Sequence, residues 1–180
     1  MTDSFFDSLH AYVQQLALLG FFSGYAIVYA VIIFMGDLPA LKNSFLSRSV
    51  WLLPYAYAVV GTLFLGYELR ELYPDYSVSN IKQTIYQSPL ILLGLLSILF
   101  WIPALSKRKV LSLIHSLVFF LFIIKDLFIQ LTQSSANDNM MANDMKVYGN
   151  SCLLNLGTFA VIALVCFLFS RYKIRSMLNH

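Results

Sequence analysis

Residues 16–36 read LALLGFFSGYAIVYAVIIFMG, an apolar run without one charged side chain. A helix needs about 20 mostly apolar residues to cross a hydrocarbon layer roughly 30 Å thick. This run has that length. Four more follow it: 50–67, VWLLPYAYAVVGTLFLGY; 89–105, PLILLGLLSILFWIPAL, which is short; 110–131, VLSLIHSLVFFLFIIKDLFIQL; and 153–170, LLNLGTFAVIALVCFLFS. In lipid every backbone N–H and C=O must pair within the protein, so only helices and closed barrels span. Strand-like alternation is absent from all five runs, which argues against a barrel.

The whole chain agrees with its runs. Of 180 residues, 59% are hydrophobic, 16% aromatic and 12% charged, against about 25% charged in a soluble domain. Mean hydropathy is +0.72. The polar connections are too short to hold a separate soluble domain. The expected architecture is therefore all-α: one membrane domain over residues 1–180, a polytopic bundle of five transmembrane helices.

Charge sets the expected orientation. Lys42 and Arg48 lie between the first two runs, Lys107, Arg108 and Lys109 between the third and fourth, and Arg171, Lys173 and Arg175 after the fifth. The other connections hold Asp3 and Asp7, the stretch around Glu68 to Lys82, and the acidic loop before Lys146; they are neutral to acidic. Basic residues gather on the cytoplasmic side, so five crossings put the N-terminus out and the C-terminus in. Trp51, Trp101 and Tyr172 then fall at the inner boundary and Tyr67, Tyr73, Tyr76 and Tyr86 at the outer one, an aromatic belt on each side. Short loops and an acidic start, unlike a secretory signal, suit a bacterial inner (plasma) membrane, with an organelle membrane as the alternative.

Two outer stretches carry apolar residues at helical spacing. Phe5, Phe6, Leu9, Tyr12, Val13 and Leu16 suggest an interfacial helix over residues 1–15 or an extension of the first crossing. Val78, Ile81 and Ile85 suggest a second interfacial helix. Residues 133–150 read as a polar outer loop.

FIIKDLFIQL at 122–131 places Lys125 and Asp126 in an otherwise apolar run. At about 1.5 Å per residue, Lys125 lies roughly 24 Å beyond Lys109, near the outer boundary. Glu68, Arg70 and Glu71, at the end of the second run, reach the same level. These five charges admit two readings. They end and anchor two helices, or they form an ion-pair cluster, Glu68 or Glu71 with Lys125 and Arg70 with Asp126, that lines a mouth. Toward the inner face Tyr29, Tyr55, Tyr57 and His115 form a second polar layer, with Ser112 and Ser116 beside His115. A hydroxyl or imidazole in lipid needs a partner. One small hydrogen-bonded cluster holding the bundle is the expected arrangement; a pocket for a lipid headgroup or quinone is the alternative. Gly20 and Gly24 share a face of the first helix and favour close packing.

Several classes are disfavoured. Basic residues form short clusters and no extended stripe, so nucleic acid is not an expected partner. His10, His115 and His180 lack metal-ligand spacing. Cys152 and Cys166 sit in different settings and are not an expected bridge. Ser112 and His115 lack a nearby carboxylate and are not a nucleophile–base pair. Spaced arginines for voltage sensing are absent, and no cofactor is expected. The composition favours a small non-enzymatic integral subunit or assembly factor of a larger membrane complex, with the lipid bilayer and a protein partner or second copy as its contacts. The alternatives are an oligomeric small-solute or ion transporter or channel using the outer charges, and a lipid-acting membrane enzyme using His115.

Overall fold

Uninterrupted apolar runs have few ways to hide their backbone from lipid, and the chain takes the helical one. The computed structural model describes residues 13–37, 49–132 and 138–178; among these, helix accounts for 90% and no strand occurs. In order the elements are α1 (13–22), α2 (Tyr25–Asp37), a 3-10 turn Val50–Leu52, α3 (Leu53–Glu71), α4 (Val78–Gln87), α5 (Leu90–Leu95), a 3-10 stretch Leu96–Trp101, α6 (Pro103–Ser106), α7 (Lys109–Thr132) and α8 (Asp138–Leu178).

Three stretches are long and apolar enough to cross a membrane: Val13–Gly36, Val50–Glu71 and Met145–Tyr172. A fourth candidate is a bent pair, Val78–Tyr86 with Leu90–Trp101, which turns through 101°. These helices suit a membrane protein. The fourth apolar run forms α7, 24 residues long.

The structure departs from the expected boundaries in two places. Residues 89–105 do not make one helix. Ser97 Oγ donates to Gly94 O at 2.6 Å, the chain tightens to 3-10, and Ile102 takes extended angles, φ −74° and ψ 120°. Pro103 follows it, and a proline drives its predecessor out of the helical region. The loop at 133–150 is helical from Asp138 onward, as the opening of α8. Met140, Met141, Ala142 and Met145 are good helix formers and outweigh the Asn and Asp around them. Residues 1–12 of the N-terminal interfacial stretch lie outside the described residues; helix is present from Val13.

Aromatic rings fill the centre of the bundle. Phe22, Tyr25, Tyr57, Phe64 and Phe119 are fully buried. Phe22 stacks on Phe119 at 5.0 Å and meets Phe64 and Tyr57 edge-on at 5.2 and 5.7 Å, the offset and tilted geometries that ring quadrupoles favour. α3 is the hub, packing on the Leu96–Trp101 stretch, α5, α7 and α8. Gly24 is where the first span meets α8 most closely. A Cβ there would run into Cys152 N and lie 2.7 Å from Cys152 Cα. Gly20 has only Val147 Cγ1 nearby, at 3.7 Å, so it needs no such space.

Candidate functional site: a polar seam in the core and a pocket at one end

The first span is broken at Ser23–Gly24, between α1 and α2. At about 1.5 Å per residue the break lies roughly 17 Å from Val13, near the middle of Val13–Gly36. A break frees backbone groups that lipid cannot satisfy. Here α7 and α8 satisfy them. Asn155 Nδ2 donates to Phe21 O at 2.9 Å, Ser116 Oγ donates to Phe22 O at 3.1 Å, and Gly24 N donates to Ser151 Oγ at 2.9 Å. Ser151 and Asn155 stand one turn apart on α8, joined by a 2.8 Å bond from Asn155 Nδ2 to Ser151 O. All three side chains are buried.

A second network adjoins the break. His115 Nε2 lies 2.8 Å from Leu93 O. A carbonyl only accepts, so Nε2 carries the proton. In the neutral ring Nδ1 is then an acceptor, and the Tyr57 hydroxyl, 2.8 Å away, donates to it. Ser112 Oγ donates to Lys109 O at 2.8 Å, which leaves it to accept from the Tyr25 hydroxyl at 2.9 Å. The rings of Tyr25 and Tyr57 lie 4.3 Å apart. α2, α3, α5 and α7 are tied together by these bonds.

No protein-family model, no curated protein and no solved structure matches this chain.

The expected inner layer is thus divided. Tyr57 and His115 are bonded directly. Tyr29 touches the group only through the Tyr25 ring, 5.9 Å away. Tyr55 is not part of it: it packs between Trp51 and Trp101, at 5.9 and 6.3 Å. Positions two apart on a helix point about 200° apart, so Tyr55 and Tyr57 cannot both face His115. Tyr25, Ser151 and Asn155 were not singled out from the sequence. Their signal was present in the four-residue spacing of Ser112 with Ser116 and of Ser151 with Asn155.

The charged group at the other end of α3 is also divided. Glu68 is 5% exposed and Gln14 3% exposed. Together with Glu71, Leu72, Asn80, Gln83 and Thr84 they line a cavity of 150 Å³. Oε1 of Glu68 and Oε1 of Gln14 have no hydrogen-bond partner. Arg70 and Lys125 are exposed, and among the described residues Glu68, Arg70, Glu71 and Lys125 enter no ion pair. The expected pairing of Glu68 or Glu71 with Lys125 is therefore not made. Glu68 and Glu71, three apart, share a face of α3, while Arg70 points about 200° from Glu68. The side chain of Asp126, expected to meet Arg70, lies outside those described. Among the described residues no three His, Cys, Asp or Glu side chains gather as a metal site.

Beside Met145–Tyr172 lies an apolar groove of 320 Å³ lined by Trp51, Leu52, Tyr55, Trp101, Ile162, Val165 and Cys166.

Proposed function

We propose that the chain is a small, non-enzymatic integral subunit or assembly factor of a larger membrane complex, crossing a bacterial inner membrane five times with its N-terminus out and its C-terminus in. The observation that carries the reading is unequal burial. The most apolar windows of Val13–Gly36 and Val50–Glu71 are 56% and 50% buried within the chain, but that of Met145–Tyr172 is only 22% buried. α8 is attached to the bundle along one stripe, polar at Ser151 and Asn155 and apolar at Phe159 and Ala163, and turns the rest of its surface outward, next to the apolar groove lined by Ile162, Val165 and Cys166. The polar core supports the same view. Both ring nitrogens of His115 are engaged, so a lipid-acting reaction there lacks a free base.

Extraction in a mild detergent tests this proposal. The chain should migrate as part of a stoichiometric assembly with a second membrane protein or with itself; a monomer in every detergent refutes it. The five crossings and their direction are tested by single-cysteine labelling in intact cells. Arg108→Cys, exposed on the basic side, should stay unlabelled, and Ser79→Cys, exposed on α4, should react with an impermeant maleimide. The opposite pattern overturns the orientation.

A transporter or channel is the second reading, favoured by the Glu68–Gln14 cavity. Flux in liposomes unchanged by Glu68→Ala and Lys125→Ala removes those residues from such a role.

A further inference from the structure

The cavity at the Glu68 end of the bundle presents acceptors to its contents, and among the described residues its lining holds no positive charge. Thr84 Oγ1 donates its proton to Asn80 O at 3.0 Å. Asn80 Nδ2 donates to Asp75 O at 2.9 Å. Thr84 thus keeps lone pairs and Asn80 keeps its Oδ1. These two stand with Gln83 on one face of α4, which Ser77 caps through a 3.3 Å bond from Asn80 N. On the other wall stand Glu68, Glu71 and Gln14, with Oε1 of Glu68 and of Gln14 unpartnered. Among the described residues both formal charges in the lining are negative. A buried carboxylate without a counter-charge is strongly unfavourable unless something positive or a proton joins it.

We propose that this cavity binds a small cation through the oxygen atoms of Glu68, Glu71 and Gln14, with α4 as its roof. The volume of 150 Å³ equals about five waters at roughly 30 Å³ each. That holds a partly hydrated metal ion or a methylammonium-sized group, and is well below the roughly 300 Å³ at which pockets for larger organic ligands begin. Carboxylate, amide and hydroxyl oxygens are hard ligands suited to Ca²⁺, Mg²⁺ or Na⁺ and to ammonium protons. With two carboxylates the site is a weak one, with a Kd on the order of 10⁻⁴–10⁻³ M, as in sites of low ligand charge. The inference stands apart from the subunit proposal, which needs no ligand.

The full-length chain in lipid nanodiscs, equilibrated in choline chloride because choline's quaternary nitrogen has no N–H to offer the oxygen lining, is titrated separately with Ca²⁺, Mg²⁺, Na⁺ and methylammonium. Unfolding temperature and titration calorimetry are the readouts. At least one cation should stabilise saturably, and the arm that responds separates a metal ion from an organic ammonium. Glu68→Gln should weaken that response at least tenfold while raising the stability of the ligand-free protein. Glu71→Gln alters an exposed ligand and should weaken binding several-fold without unfolding risk; Lys82→Ala, outside the lining, should leave it unchanged. No response to any of the four up to about 100 mM, roughly a hundred times the weakest Kd of such sites, overturns the proposal and leaves Glu68 protonated. Binding that survives both Glu68→Gln and Glu71→Gln overturns it equally.

Discussion

Gly24→Ala adds one methyl group at the tightest helix crossing in the bundle. Among the described residues no glycine has positive φ, so alanine meets no backbone penalty and the whole effect is steric. The new Cβ would run into Cys152 N and sit 2.7 Å from Cys152 Cα, where ordinary contact begins at 3.4 Å. These are backbone atoms of α8 and cannot rotate aside, so the helices must part by 0.7 Å or more. Overpacking of this kind costs about 1–3 kcal/mol. The same displacement takes the 2.9 Å bonds Gly24 N to Ser151 Oγ and Asn155 Nδ2 to Phe21 O past hydrogen-bond length, at about 0.6 kcal/mol each in a membrane protein. Alanine returns at most about 1 kcal/mol of helix propensity. The net expectation is a loss of about 1–3 kcal/mol. Gly20→Ala, one turn away with only Val147 Cγ1 at 3.7 Å, should be neutral or stabilising by up to about 1 kcal/mol. Reversible unfolding in mixed micelles, followed by circular dichroism, compares the two. Equal stabilities would refute the crossing geometry.

Three further substitutions probe the polar core. Asn155→Leu keeps the branched side-chain shape, adds bulk at a buried site and strips Phe21 O of its partner, and should lower stability by about 1–2 kcal/mol or more in the same assay. Tyr57→Phe and His115→Phe should each destabilise, with a coupling of about 0.6 kcal/mol in the double-mutant cycle; a coupling of zero would mean the 2.8 Å bond contributes nothing.

What the sequence disclosed follows from the range of the forces involved. α7 spans Lys109–Thr132, one residue beyond the apolar run at each end, because its composition alone determines a helix there. The break at Ser23–Gly24 was not legible. Its freed groups are satisfied by Ser116, Ser151 and Asn155, roughly a hundred positions away, and local composition records nothing of that. The 3-10 stretch Leu96–Trp101 is similar: Ser97 sits against Gly61, where a Cβ would collide with Ser97 Oγ, so the tightening of one helix answers a gap in another. His115 and Tyr57 were identifiable because an imidazole in an apolar run must find a partner. Depth along the helix was readable for Tyr55, but rotation about the axis separates it from its neighbour two residues on. The same rotation turns Arg70 away from Glu68. The beginning of α8 was obscured by the Asn and Asp among residues 137–144, which usually favour turns.

Photo-crosslinking tests the central claim most directly. A benzoylphenylalanine at Leu156 or Leu164, both exposed on α8, should capture one protein partner in the membrane, whereas the same probe at Ile114 or Leu121, exposed on α7, should capture only lipid. Lipid adducts alone from the α8 positions would contradict the account.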